Sequence, residues 1–257
     1  SNKLENKLNI IAIIQARMAS TRLPGKVLLD IEGKIMLQRI VERISRSEFI
    51  NKIIVATTLE NKDDEIEKFV TQNLNCEIFR GSENDVLDRF YKCAKKYHAD
   101  LVIRVTADDP LKDPHIIDKA VEIMIKNSNL DYCSNTIQPT YPEGLDIEVI
   151  RFSSLERAFY KAIISSEREH VTPYIWKNKH KFNVHNFKFE RDLSSWRWTI
   201  DKKVDLDFIC CIFKEFKDNP FVKFEEVIEF IENNPEIMLI NNEIVRNEGY
   251  IKSLKED

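Results

Sequence analysis

An α/β fold, with a Rossmann-like doubly wound, mostly parallel mixed sheet and helices on both faces, is what this sequence predicts, on three observations. Short β-rich apolar runs alternate with longer stretches of helical period from the start. With 257 residues, 43% of them hydrophobic and only 5 glycines, the chain can bury the core of one substantial domain. Polar residues with chemistry to offer cluster directly after the apolar runs, where the loops of an open parallel sheet converge on ligands.

In order, IIAII (10–14) reads as a strand and IMLQRIVERISR (35–46) as the helix that follows, then KIIVATT (52–58) and DDEIEKFVTQNL (63–74). CEIFRG (76–81) with NDVLDRFYKCAKKY (84–97), and DLVIRVTADD (100–109) with HIIDKAVEIMIKN (115–127), repeat the unit. Such alternation makes parallel strands covered by helices. After about residue 130 the rhythm loosens. DYCSN and LDIEVI read as strands, SSLERAFYKAI as a helix, and FNVHNFKFE and SWRWTI as a further strand pair, so the sheet becomes mixed. KVDLDFICCIFKEF and FEEVIEFIENN are amphipathic helices that close the fold, and the tail after Pro235 is polar without clear pattern.

The 39 basic and 43 acidic residues are mixed along the chain, giving a formal net charge of -4 and no basic tail, so no nucleic-acid footprint is indicated. Cys76, Cys93, Cys133, Cys210 and Cys211 are odd in number and form no C-x-x-C, which argues against a disulfide framework and a structural zinc and fits a reducing cytoplasm. No apolar stretch approaches the roughly 18 residues of a membrane span, and SNKLENKL lacks the apolar region of a signal peptide. Ser1-Asn2 reads as a cloning remnant.

QARMASTRLPGK (15–26) follows the first strand without a break. A loop curling around one centre would aim Arg17, Arg22 and Lys26, with the hydroxyls of Ser20 and Thr21, at a polyphosphate. At an effective dielectric near 20, one charge contact at ~4 Å is worth roughly 4 kcal/mol before desolvation, so a triphosphate needs several cations. The chain has no G-x-G-x-x-G, and a Walker A loop fails at Ser20 and Val27, which stand where it needs Gly and Ser or Thr. A solvated basic loop is the alternative.

LVIRVTADDP ends in Asp108-Asp109, and SWRWTID ends in Asp201. Two strand-end carboxylates far apart in sequence suit Mg²⁺, which takes one or two carboxylates and fills its shell with waters and phosphate oxygens. Alternatively, Asp201 caps the helix beginning at about Lys202, and Asp108 or Asp109 makes an Asx-turn before Pro110. Asp205-Leu206-Asp207 has the Asp-x-Asp spacing of nucleotide-sugar metal sites, but in a helix residues two apart do not share a face, and it is read as helix surface.

QARMASTRLPGK resembles the nucleotide-binding signature A-R-x-x-S-x-R-x-P-G-K of the cytidylyltransferases that activate acidic sugars, the CMP-sialate and CMP-Kdo synthetases, and most closely their spore-coat polysaccharide protein F branch. The resemblance extends over most of the chain. VTADDP is similar to the family's V-Q-G-D-x-P, TIDKKVDL to I-D-T-P-x-D-L with Lys202-Lys203 departing from it, and YPEGLDIEVI to P-x-G-L-D-x-E-V. It implies a nucleotide-diphospho-sugar transferase-like fold, CTP and an acidic sugar as substrates, Mg²⁺ as cofactor, and a homodimer. On the nucleotide side it implies Ala16, Arg17, Ser20, Arg22 and Lys26, with Lys26 at the α-phosphate, and Asp108 and Asp201 on the metal. Arg17, Lys26 and Asp108 would be the catalytic residues. Gly81 and Asp85 would border the nucleotide, although Asp85 beside the expected cap Asn84 is read equally well as part of a helix start.

The single domain (1–257) would carry its acceptor-binding or dimerisation sub-region at about 135–195. Glu143 lies in a Pro/Gly turn, and Asp146 and Glu148 share one face of a strand, facing sugar or water. In SEREHVTPYIW, Thr172-Pro173 reads as a helix start, Ser166 and Glu169 as a capping box, and His170 as a bend residue aimed into a cleft or a structural histidine. Arg168 offers a planar fork to the acceptor's carboxylate, with Glu167 beside it.

The expected reaction is transfer of CMP from CTP to the anomeric hydroxyl of a nonulosonic acid-type sugar, with pyrophosphate leaving, in surface-polysaccharide biosynthesis. The rival readings are a nucleotidylyltransferase for a sugar 1-phosphate or phosphonate, a glycosyltransferase using a nucleotide sugar, and a non-catalytic protein that keeps the fold.

Overall fold

The computed structural model describes residues 7–257; Ser1-Asn2, expected to be a cloning remnant, lies outside the described residues. A seven-stranded sheet runs through it in the order β5-β4-β1-β6-β8-β7-β9. Its strands are β1 (Ile10–Gln15), β4 (Lys52–Thr58), β5 (Glu77–Gly81), β6 (Leu101–Thr106), β7 (Tyr132–Ser134), β8 (Glu148–Arg151) and β9 (Val184–Asn186), while β2 (Asp30–Ile31) and β3 (Lys34–Ile35) form a small hairpin apart. β4 and β6 flank β1 in parallel, with Ile13 opposite both Ile54 and Arg104, and β5 extends the parallel set. β8 alone runs antiparallel to its neighbours, and β9 returns parallel to β7.

Alternation along β1 builds both cores. Ile10, Ala12 and Ile14 pack on one face against α1 (Met36–Ile44), α2 (Asp64–Asn73), α4 (Pro114–Lys126), α8 (Lys203–Glu215) and α9 (Phe224–Asn233). Ile11 and Ile13 pack on the other against α3 (Val86–Lys96), α5 (Phe152–Lys161) and α7 (Pro173–Lys177). All five are fully buried, and each large aliphatic side chain so placed contributes about 1.5–3 kcal/mol. α6 (Ser165–His170) and α10 (Glu248–Lys255) complete the helices.

Several local expectations change. SWRWTI is not paired with FNVHNFKFE: β9 joins β7, and the tryptophan segment meets Glu143 through a single parallel bridge at Arg197. The α3 cap is Asp85, whose carboxylate accepts the Asp88 N–H at 3.1 Å, and Asn84 precedes it. Ser166 and Glu169 form no capping box, because Ser166 bonds Asp257 and Glu169 accepts from Ser253. The stretch 135–195 supplies β8, β9 and α5 to α7 to the common sheet and its covering layer.

The Pro/Gly turn is clamped onto the tryptophan segment. Glu143 N–H donates to Trp196 O at 2.9 Å and Trp198 N–H donates to Glu143 O at 2.6 Å. Gly144 has φ +111°, and a Cβ there would lie 2.6 Å from the Trp198 carbonyl carbon. Backbone cannot move aside as a flexible side chain does, and L-residues resist this φ. Gly144→Ala is therefore expected to cost about 1–3 kcal/mol, read as a lower denaturant midpoint at unchanged slope.

Candidate active site

A cavity of about 870 Å³ opens at the carboxyl ends of β1 and β6. Its floor at one end is the loop after β1. Gly25, in the left-handed region at φ 69°, turns the chain so that its N–H donates to Met18 O at 2.9 Å. The buried Asp63 accepts the Met18 N–H at 2.7 Å and a bond from Thr58, fastening the loop to β4. Ser20 accepts the Leu23 N–H at 3.3 Å. The loop thereby presents Ala16, Arg17, Ser20, Arg22 and Lys26 to the cavity, and Arg17 is exposed with no hydrogen bond or ion pair to a described residue.

Lys26 is the centre of this end. Its Nζ donates to Ile200 O at 3.1 Å and stands 3.8 Å from Asp108 Oδ2 and 3.6 Å from Asp201 Oδ1. Ile200 N–H donates to Asp108 O at 2.8 Å, so the two chain segments that carry the carboxylates are joined by backbone. Asp201 also binds Arg22, which lies 3.1 Å from Glu248. The helix cap is not Asp201: α8 starts at Lys203, after Lys202. Asp109, not Asp108, is the structural member of its pair, accepting from Thr106 at 3.0 Å and Lys112 at 3.1 Å in a buried position. Burial pushes its carboxyl up to about 7 against the pull of Lys112.

Whether these carboxylates fit a metal ion is answered by the donor set. Asp108 Oδ1 is buried without a hydrogen-bond partner, and an ammonium already sits between the two groups. The unpartnered oxygen suits a hard cation bound through few protein oxygens, with Lys26 beside it. No cluster of three or more metal-ligating side chains occurs among the described residues, which is compatible with Mg²⁺ and not with a closed structural zinc site.

The other end of the cavity is lined by Glu143, Asp146, Glu148, Arg104 and His170. Glu148 is saturated: Arg104 bonds it at 2.8 Å, Thr172 at 2.5 Å, and Tyr132 through its hydroxyl. Arg104 also donates to Gln15 at 2.9 Å, while its Nε is buried and unpartnered. Asp146 accepts from Arg246 at 3.0 Å. His170 ends α6, and Val171 after it has φ 69° in a γ-turn closed by Thr172 N–H to His170 O at 2.7 Å. A β-branched residue held there is strained, and the turn points His170 and Thr172 at the cavity. Burial, then the nearby Arg104, lowers the His170 pKa, keeping the ring neutral near pH 7.

Four expected site residues are elsewhere. Arg168 is spent on Asp85, bonding it through two nitrogens at 3.1 and 2.9 Å and donating to Phe159 O at 2.6 Å, so α6 is clipped to the start of α3. Its fork does find a carboxylate, but one within the chain. Glu167 is buried against Lys177 at 3.0 Å. Gly81 packs where a Cβ would meet the Arg89 side chain at 2.9 Å. None of Gly81, Asp85, Glu167 and Arg168 lines the cavity. Asp205 is likewise not helix surface: it is fully buried and grips Arg197 at 2.8 and 3.0 Å while accepting the Asp201 and Lys202 N–H groups. Burial works against its charge, but the bonds from Arg197 and Asn241 hold its carboxyl below the usual range. Asp205 thus orients the segment bearing Asp201. The sequence reading also missed Arg104, Asp63 and the C-terminal helix, which lines the cavity with Glu248, Tyr250 and Ser253.

The model of the cytidylyltransferase family matches residues 11–246. The chain belongs to the cytidylyltransferase family. Among its relatives, spore coat polysaccharide biosynthesis protein SpsF of Bacillus subtilis is 32% identical over 89% of this chain and 96% of its own. A 3-deoxy-manno-octulosonate cytidylyltransferase of Geobacter sulfurreducens is 37% identical over 47% of each chain. The solved structure of a cytidylyltransferase from Leptospira borgpetersenii superposes with a TM-score of 0.86 at 36% identity, covering 90% of this chain and 97% of that one. In this cytidylyltransferase the signature loop, Asp108 and Asp201 therefore fall within the family's span.

Glu143 carries a pH signature. Burial, then the charge of Asp146, pushes its carboxyl up to about 7 from 4.5, despite Arg197 at 3.6 Å. The folded state then holds a proton the unfolded chain has released, so Glu143 contributes stability below pH 4.5 that is lost as pH rises through about 7. Glu143→Gln is expected to flatten the fall of Tm across that window, measured by thermal unfolding at a series of pH values.

Proposed function

We propose that this chain is a magnesium-dependent cytidylyltransferase that moves CMP from CTP to an acidic sugar of the nonulosonic or related keto-deoxy type. The observation that carries the reading is Lys26 held between Asp108 and Asp201 at the mouth of a cation-rich loop. The family assignment supplies the nucleotide, and the octulosonate relative and the polysaccharide role named for SpsF point to the acceptor class.

In this reading Arg17 and Arg22 hold the β- and γ-phosphates, Lys26 meets the α-phosphate, and the backbone at Ala16 borders the nucleoside. Asp108 and Asp201 would hold Mg²⁺, which supplies charge neutralisation on the phosphate oxygens and orientation of the leaving group when bound. The sugar hydroxyl oxygen attacks the α-phosphorus, a new O–P bond forms, the bridging bond to the β-phosphate breaks, and pyrophosphate departs with the electron pair while the hydroxyl proton is released. Catalysis is then mainly positioning and charge stabilisation by fixed groups. Glu143, Asp146 and His170 would face the acceptor, with Glu148 holding Arg104 in place. A homodimer assembled as in related synthetases is part of the same proposal.

A panel of nucleoside triphosphates against acidic sugars, sugar 1-phosphates and phosphonates, read by pyrophosphate release, tests it. CTP with an acidic sugar is expected to turn over, with Asp108→Asn and Lys26→Ala each lowering kcat by about 10²–10³ and Arg168→Ala acting through stability. Turnover with a sugar 1-phosphate in place of the acid, or intact nucleotide-sugar binding without triphosphate consumption, contradicts it.

A further inference from the structure

Residues 247–257 lie beyond the segment matched by the family model, which ends at residue 246, yet they close one wall of the cavity. The way they are held is unusual for a docked helix. α10 has eight residues, a length that is marginal in water without tertiary support. Ile251 and Leu254 are 42% and 45% exposed, so no continuous apolar face anchors it. The Tyr250 ring, edge-on to His170 at 5.2 Å and to Trp176 at 5.9 Å, is its main apolar contact.

Polar contacts do the rest, and they fall on the site. Asn247 N–H donates to Glu143 at 3.2 Å, and Ser253 Oγ donates to Glu169 at 2.7 Å and lies 2.8 Å from His170 Nε2. The Ser166 N–H donates to Asp257 at 2.7 Å. Glu248 reaches across to Arg22 at 3.1 Å and Lys202 at 3.4 Å. One Arg22 nitrogen therefore faces two carboxylates, Asp201 and Glu248.

We propose that residues 247–257 form a displaceable strap over the substrate cavity, with Glu248 an internal anion that occupies Arg22 until a polyphosphate takes it. The proposal rests on the assignment of Arg22 to the phosphates. A triphosphate brings more charge than one carboxylate and can engage the planar guanidinium with two oxygens at once. Glu248 then finds itself beside anions, and the strap is released at its first turn. Two features suit that end for a hinge: Asn247 already lies in the left-handed region at φ 57°, and Gly249 has nothing within 4 Å of where a Cβ would stand. Release uncovers the wall carrying Glu143, Glu169 and His170, so nucleotide binding opens the acceptor side.

The test uses the full chain, Glu248→Gln, and a chain ending at Arg246, titrated calorimetrically with CTP and with tripolyphosphate, alongside hydrogen exchange of the α10 amides. Both variants are expected to bind about threefold to tenfold tighter, as removal of a partly exposed ion pair allows, and saturating ligand should speed α10 exchange in the full chain. Equal or weaker affinity in both variants overturns the proposal, as does slower α10 exchange with ligand, which makes the tail a clamp that closes. If tripolyphosphate gives the effects and CTP does not bind, the strap stands and the cytidine assignment falls. If CTP binds all three chains equally, the strap falls and the assignment stands. If neither ligand binds, both fall.

Discussion

The placement of one ammonium between two carboxylates organises this molecule. Lys26 meets Asp108 and Asp201 only because β1 and β6 are neighbours in parallel and end at the same edge, and because Ile200 donates its N–H to Asp108 O. Lys26 is shared between the two carboxylates, Asp201 has Arg22 as well, and Asp108 Oδ1 is left buried without a partner. Leaving a buried polar atom unpaired costs free energy that folding alone gives no reason to spend. The loop also carries Arg17, exposed and with no hydrogen bond or ion pair to a described residue. The cavity thereby has a direction, with cations on its loop and an unpartnered carboxylate oxygen at Asp108.

The rest of the fold serves this arrangement. Asp63 secures the loop from one side, and Asp205, gripping Arg197 and the Asp201 amide, secures the second carboxylate from the other. Gly144 allows the turn carrying Glu143 to lie directly on the Trp198 backbone. Each is a buried or close-packed contact that fixes the direction of a segment lining the cavity.

What the sequence reveals and what it conceals divide along a physical line. Periodicity is a local property, so the alternating strands and helices up to residue 127 were legible, as was the place where ligands should gather. The QARMASTRLPGK loop and Asp108 were legible because they directly follow strands, whereas Asp201 follows a segment that makes only an isolated bridge. Side-chain partners are a tertiary property and were not. Arg168, expected to meet the acceptor's carboxylate, instead grips that of Asp85, 83 residues away in sequence. Asp205 and Asp207 do diverge as helix geometry requires, yet the first turn of α8 faces back onto its own lead-in, which buries Asp205. In the tail after Pro235, Ile237, Met238 and Ile240 pack on the core, and from Asn247 onward polar contacts position the chain, so no apolar period runs through it.

The central claim is that the cationic loop and the two distant aspartates act as one site for a metal-bound nucleotide, and it is tested most directly by CTP affinity with and without magnesium. The account predicts that magnesium tightens CTP binding to the native chain and that this gain disappears when Asp108 and Asp201 are both changed to Asn. A gain of the same size in the doubly substituted protein would contradict it.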